Sequence, residues 1–276
     1  MTPFRVPAPA GVLCSAILLL TAGVLATHAT NATPSPSSCE PATCGGLRIE
    51  YPFWLGGTHP PECGYRAFQV SCHSNGTASL KNSIWTYKIL DISYEDSSFR
   101  VTNVELSHST CDAKLQVNVS SDLGLAPFSI SAANRELFFL YDCIDLQAAQ
   151  QPPTQWAPLN YDSNSFAWLA GGYKLDDKWP LVPGNCSVSM MAPVMGYPGA
   201  TAANYHKLME RGFRLEYTAG ECTACRDTGG LCRINTTYDI FDCQCPSGMS
   251  DGPLICGDEF IIPAEKGNRF SSFLPL

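Results

Sequence analysis

Thirteen of the fourteen cysteines in this 276-residue chain lie between Cys39 and Cys256; only Cys14 precedes them. They fall into two groups. Cys39, Cys44, Cys63, Cys72, Cys111, Cys143 and Cys186 are widely spaced, whereas Cys222, Cys225, Cys232, Cys243, Cys245 and Cys256 are crowded together. In an oxidising compartment, thiols at this density become disulfides and limit the fold to what the bridges allow. In a reducing compartment they imply metal or redox chemistry.

The N-terminus points to the first case. Arg5 precedes an apolar run from Gly11 to Ala26, and small residues follow, with Ala26 and Ala29 as candidate cleavage points. This is the layout of a secretory signal over residues 1–29. The run is shorter than the roughly 20 residues needed to span a bilayer. Removal of the signal takes Cys14 with it. If it stayed uncleaved, the segment would tie the chain to a membrane. Five sequons, at Asn31, Asn75, Asn118, Asn185 and Asn235, fit a secreted, surface-glycosylated extracellular protein. No later segment before Leu276 reads as a membrane span or lipid anchor.

Hydrophobic residues make up 45% and charged residues 15%, enough apolar content for a packed core. The net charge of -8 argues against nucleic acid or an anionic membrane surface as partner. Alternating runs at 48–51, 68–71, 84–94, 101–106 and 115–119, with the continuous apolar run Leu137–Tyr141, read as short strands between Gly, Ser, Asn and Asp. The expected class is all-β and disulfide-rich: a small antiparallel β domain followed by a cysteine-dense module. The expected division is a signal (1–29), a Pro/Ser-rich leader (30–38), a β domain (39–145), a connecting stretch (146–183), a cysteine-rich module (184–258) and a tail (259–276). Residues 201–211 suit one short helix stopped by Gly212, and 213–217 a strand.

Several spaced elements carry a family resemblance. They are Cys39-x4-Cys44-Gly45-Gly46, Ile49-x-Tyr51-Pro52-Phe53, Cys63-Gly64-Tyr65, Phe68, Cys72 and Phe138-Phe139-x-Tyr141-x-Cys143. In this order they resemble the galacturonan-binding ectodomain of plant wall-associated receptor kinases, especially the leaf-rust-resistance receptor-like kinases. Gly212-Phe213-x-Leu215-x-Tyr217 and Cys222-x2-Cys225-x3-Gly229-Gly230-x-Cys232 resemble the C-terminal wall-associated module of the same receptors. Those receptors continue into a membrane helix and a kinase, neither of which is read in this sequence. The dense cysteines are also similar to an EGF-like module. Pairing in that style would join Cys222–Cys232, Cys225–Cys243 and Cys245–Cys256, one of fifteen possible arrangements.

The resemblance implies a ligand: cell-wall pectin, a polymer of galacturonic acid. Binding it calls for Lys or Arg to meet carboxylates and for flat aromatic faces. Arg48, Arg66, Lys81 and Lys88 are the candidate cations, and Trp54, Tyr65 and Trp85 the candidate faces. Each also has a plain reading as a solvated strand charge or a core aromatic. Residues 39–145 hold seven basic and twelve acidic residues, a net of -5, so long-range attraction opposes a polyanion and only a local patch can act. The alternative is a protein-interaction module or decoy, binding a receptor kinase or extracellular peptide. No motif for a catalytic serine, zinc or phosphate loop is present, so neither an enzyme nor a cofactor is expected. Cys222-x2-Cys225 lacks a thioredoxin-like setting and reads as a structural disulfide.

Thirteen cysteines cannot all pair within one chain. Relatives usually have a further cysteine beyond the Phe-Phe-x-Tyr-x-Cys element, and 144–185 has none. That makes Cys143 the expected orphan and Cys186 the runner-up.

Overall fold

Short alternating strands bury one face only if a second layer covers it, and here two sheets do this for each other. The computed structural model describes residues 38–82, 85–104, 127–144, 155–159, 163–174, 185–246 and 254–257. These residues fall in a single compact unit. A first hairpin pairs β1 (Ala42–Cys44) with β2 (Leu47–Ile49). The larger sheet has seven strands. Its first five in order are β3 (Trp54–Leu55), β4 (Gln69–Cys72), β5 (Ala78–Asn82), β6 (Trp85–Ser93) and β7 (Ser98–Asn103). The next is β13 (Phe213–Tyr217), and β8 (Phe128–Ile130) closes the far edge.

The second sheet has four strands, in the order β10 (Trp156–Pro158), β11 (Phe166–Gly172), β9 (Arg135–Tyr141) and β12 (Ser187–Val194). A short helix α1 (Tyr205–Arg211) precedes β13. A second, α2 (Thr223–Asp227), precedes a last hairpin of β14 (Leu231–Asn235) and β15 (Ile240–Gln244). Gly212 stops α1 in the left-handed region at φ 70°, where a β-carbon would run into the Val101 carbonyl.

Register fixes which side chains go inside. Leu55, Val70, Leu80, Tyr87 and Asn103 stand opposite one another across five strands, and the first four are core residues. Leu137, Phe139, Leu169, Met190, Ala192 and Val194 of the smaller sheet join the same cluster, so the two sheets share one core. A set of edge-to-face rings fills one end of it: Phe68 lies 5.0 Å from Phe53, 4.8 Å from Phe128 and 5.5 Å from Tyr217, centroid to centroid. Strand β9 is buried on both faces, as its unbroken apolar run requires. Its other face packs into a second cluster, where Phe138, Trp168 and Trp156 stack.

The structure departs from the expected segmentation. Residues 146–183 contain β10 and β11, both within a sheet, so part of the stretch read as a connection is core. Its periodicity is weak because β11 is apolar on both sides: Phe166, Trp168 and Ala170 pack in one cluster, Ala167 and Leu169 in the other. Strand β13, from the expected cysteine-rich module, lies between β7 and β8 of the expected β domain. The strand expected at 115–119 and the signal segment lie outside the described residues.

Among the described residues six disulfides form: Cys39–Cys63, Cys44–Cys72, Cys143–Cys186, Cys222–Cys232, Cys225–Cys243 and Cys245–Cys256. The last three are the EGF-style pairing. Cys143 is therefore not the orphan, and Cys186 is its partner. The reason lies in strand register. Ser187 stands opposite Tyr141, which brings Cys186 beside Cys143 where β9 ends and β12 begins. Twelve of the thirteen cysteines are thus accounted for, and the thirteenth, Cys111, lies outside the described residues. Thiol labelling of the denatured, unreduced mature protein should spare Cys143 and Cys186. A label on either of those two would contradict the bridge.

Candidate functional site

The last hairpin is docked against the turn region between β3 and β4. Gly220 is held at both ends of its backbone: the Tyr51 hydroxyl donates to its carbonyl at 3.1 Å, and its N–H donates to the Tyr65 hydroxyl at 2.9 Å. Burial, and after it the Tyr65 hydroxyl, pushes the Tyr51 pKa up, so Tyr51 keeps its proton and remains a donor. Phe241 packs edge-on against Tyr51 at 5.7 Å, and Arg233 pairs with Glu62 at 3.0 Å.

This docking leaves a cleft of about 300 Å³ between the two parts. Trp54, Pro61, Gly64, Arg66 and Gln69 line one side; Ile234, Thr236 and Asp239 line the other. Trp54 is fixed by its indole N–H, which donates to the Tyr65 carbonyl at 2.8 Å. The backbone N–H of Arg66 donates to Asp239 Oδ1 at 3.3 Å. The Arg66 guanidinium, on the exposed side, has no hydrogen bond or ion pair among the described residues. Trp54 is only 6% exposed, so the cleft offers a saccharide a limited strip of indole surface, one guanidinium unpaired among the described residues, and amide, hydroxyl and carboxylate groups from Gln69, Thr236 and Asp239.

The outer face of the larger sheet continues from this cleft. Trp54 stands beside Gln69 in parallel register, and alternation puts Lys81 on the same face as Gln69. Lys81 stands opposite Thr86, with Lys88 two residues further along β6 on that face. Both lysines are exposed, and neither has an ion-pair partner among the described residues. With strands about 4.8 Å apart, Lys81 is roughly 10 Å from the strand of Trp54.

The other candidates lie elsewhere. Arg48 lines a different cleft and is tied to Glu50 at 3.1 Å, as is Arg226 at 3.6 Å; the Glu50 side chain is only 13% exposed. The Tyr65 hydroxyl is occupied at the Gly220 junction. Trp85 packs against the shared core, on the inner face. Arg100 and Arg214 are engaged with Asp91 and Asp96. The sulfurs of Cys243, Cys245 and Cys256 lie within 4.8 Å of one another, but each is in a disulfide and offers no thiolate to a metal. Gln69, Ile234, Thr236 and Asp239 were not foreseen. The last three come from a hairpin more than a hundred residues further along the chain, and no local pattern announces their arrival at the cleft.

The family model for the wall-associated receptor kinase galacturonan-binding region matches residues 39–103, and the model for the wall-associated receptor kinase C-terminal region matches residues 160–248. Three curated relatives come from Arabidopsis thaliana. Leaf rust 10 disease-resistance locus receptor-like protein kinase-like 1.2 is 30% identical over 82% of this chain and 35% of its own length. The corresponding 2.8 and 1.4 proteins are 23% and 22% identical over 74% and 76% of this chain. The chain spans 22% and 30% of these two. It therefore spans about a third or less of the relatives it matches. No solved structure matches it. Among the described residues, no helix is long and apolar enough to cross a membrane. The chain thus carries, in order, matches to both wall-associated receptor kinase modules, and over most of its length it is similar to the ectodomain region of leaf-rust-resistance receptor-like kinases.

Proposed function

We propose that this chain binds pectic polygalacturonic acid in the plant cell wall, in wall sensing or defence, at the cleft of Trp54, Arg66 and Gln69 and across Lys81 and Lys88. The observation that carries this reading is the grouping of three exposed cations without partners among the described residues on the side of the sheet where Trp54 lines the cleft. All lie in the segment matched by the galacturonan-binding model. Secretion through the signal at 1–29 belongs to the same reading. So does N-glycosylation: Asn75, Asn185 and Asn235 are exposed, and Asn31 and Asn118 lie outside the described residues.

Each exposed cation–carboxylate contact contributes about 0.2–1 kcal/mol, so three together correspond to roughly tenfold in affinity. The variant Arg66→Ala/Lys81→Ala/Lys88→Ala should lose about that factor for oligogalacturonides, and wild-type binding should weaken with added salt. Arg48→Ala should bind as wild type does. Unchanged binding by the triple variant would refute this site.

A second reading, docking of a protein partner, draws on the exposed apolar residues Leu231, Tyr238 and Ile240 of the last hairpin. Capture of a receptor ectodomain that persists in excess oligogalacturonide, and is lost on Tyr238→Ser/Ile240→Ser, would support it. Competition by uronate would count against it.

A further inference from the structure

We propose that Asp239 makes the cleft select partly methyl-esterified galacturonan over the fully ionised polymer. This rests on the cleft being the pectin site. Among the described residues lining it, two carry a charge, one of each sign: Arg66 on the sheet side and Asp239 on the hairpin side. The charges of this described lining therefore cancel, although the ligand is named for its acid groups.

Asp239 is built into its place. It sits in the left-handed region at φ 54° in the turn between β14 and β15, and its N–H donates to the Asn235 carbonyl at 2.8 Å. One carboxylate oxygen accepts the Arg66 backbone N–H; the other has no partner among the described residues. A saccharide seated here can place one carboxylate at the Arg66 guanidinium. A second ionised carboxylate would meet Asp239 as a like charge. A methyl ester in that position carries no charge, and its methyl group matches the apolar surfaces of Trp54, Pro61 and Ile234. Sugar hydroxyls can then donate to the free Asp239 oxygen and exchange hydrogen bonds with Thr236 and Gln69. Lys81 and Lys88 have no carboxylate partner among the described residues, so along the sheet the preference reverses in favour of ionised residues. The site thus reads a pattern: an esterified residue at the cleft and acidic residues beyond it.

The test uses the purified secreted glycoprotein and homogalacturonan oligomers of equal length in three forms: de-esterified, partly methyl-esterified and fully methyl-esterified. Wild type should bind the partly esterified form best, by about fivefold over the de-esterified one. Asp239→Asn keeps the shape, the acceptor for Arg66 and the left-handed turn, which asparagine tolerates. It should shift that ratio about fivefold toward the de-esterified oligomer with an unchanged thermal midpoint. An unchanged ratio, or a wild type that prefers the de-esterified form, overturns the proposal. If Asp239→Asn leaves the ratio alone while the triple cation variant loses binding, the cleft remains the pectin site and only the role of Asp239 falls. If wild type binds none of the three forms, both fall.

Discussion

Replacing Gly230 with alanine is expected to stop the cysteine-rich module from closing its bridges. A β-carbon at this position would lie 2.5 Å from Cys243 Sγ and 2.7 Å from both Cys225 Sγ and Cys256 Sγ. Those sulfurs belong to two separate disulfides, and the Cys243 and Cys256 sulfurs are themselves 3.6 Å apart. None of the three is the free end of a flexible side chain, so none can move aside cheaply. The module has little else to hold it. Its core cluster consists of Cys225, Cys232, Cys243 and Cys256, with Tyr51, Cys222, Phe241 and Cys245 packed around them. Each bridge contributes about 2–4 kcal/mol, so losing two costs more than a segment this small can spare. Secreted yield should collapse, and the residual protein should show scrambled or missing bridges on non-reducing peptide mapping. Gly46→Ala, where an added β-carbon meets nothing within 4 Å, is the control. Wild-type yield with six native bridges in Gly230→Ala would show that the stack can open to admit a methyl group.

Phe68→Ala should be the most damaging single truncation in the shared core. The ring is 0% exposed and is surrounded by Phe53, Phe128, Tyr217 and Tyr65. Loss of a buried phenylalanine costs about 3–5 kcal/mol, and the edge-to-face pairs add to that. In a domain of this size the thermal midpoint should fall by roughly 10 °C. Tyr238→Ala, at a residue 72% exposed, should change stability by less than about 0.5 kcal/mol. A fall of under about 3 °C for Phe68→Ala would mean that the surrounding rings collapse into the space.

What could be read from the sequence was whatever repeats at short range. Alternation placed β4, β6 and β7 to within a few residues, and the unbroken run Leu137–Tyr141 foretold a strand buried on both sides. Gly212 marks a helix stop in the sequence and caps α1 in the fold. The spacing of the dense cysteines, compared with an EGF-like module, led to their pairing. What could not be read depends on chain segments meeting from far apart. The Cys143–Cys186 bridge follows from the antiparallel register of β9 and β12, which cysteine spacing does not encode. Strand β11 escaped notice because both its faces are apolar, leaving no polar beat to count. Of the seven proposed binding residues, Trp54, Arg66, Lys81 and Lys88 share one side of the sheet. Arg48, Tyr65 and Trp85 are taken up by Glu50, by Gly220 and by the core. Asp239 reaches the cleft on a distant hairpin, and only the folded chain reveals that.

The position of β13 has an evolutionary consequence. It belongs to the segment matched by the C-terminal family model, yet it fills a slot between two strands that lie outside that segment. Were the 39–103 match inherited alone, β7 would present an unpaired backbone edge, a template for aggregation. Domain shuffling can move a unit only if it brings its own edges, and here neither matched segment does. Recombination within a gene of this kind should therefore be tolerated outside the pair and selected against between its members, so that the two descend as one heritable unit.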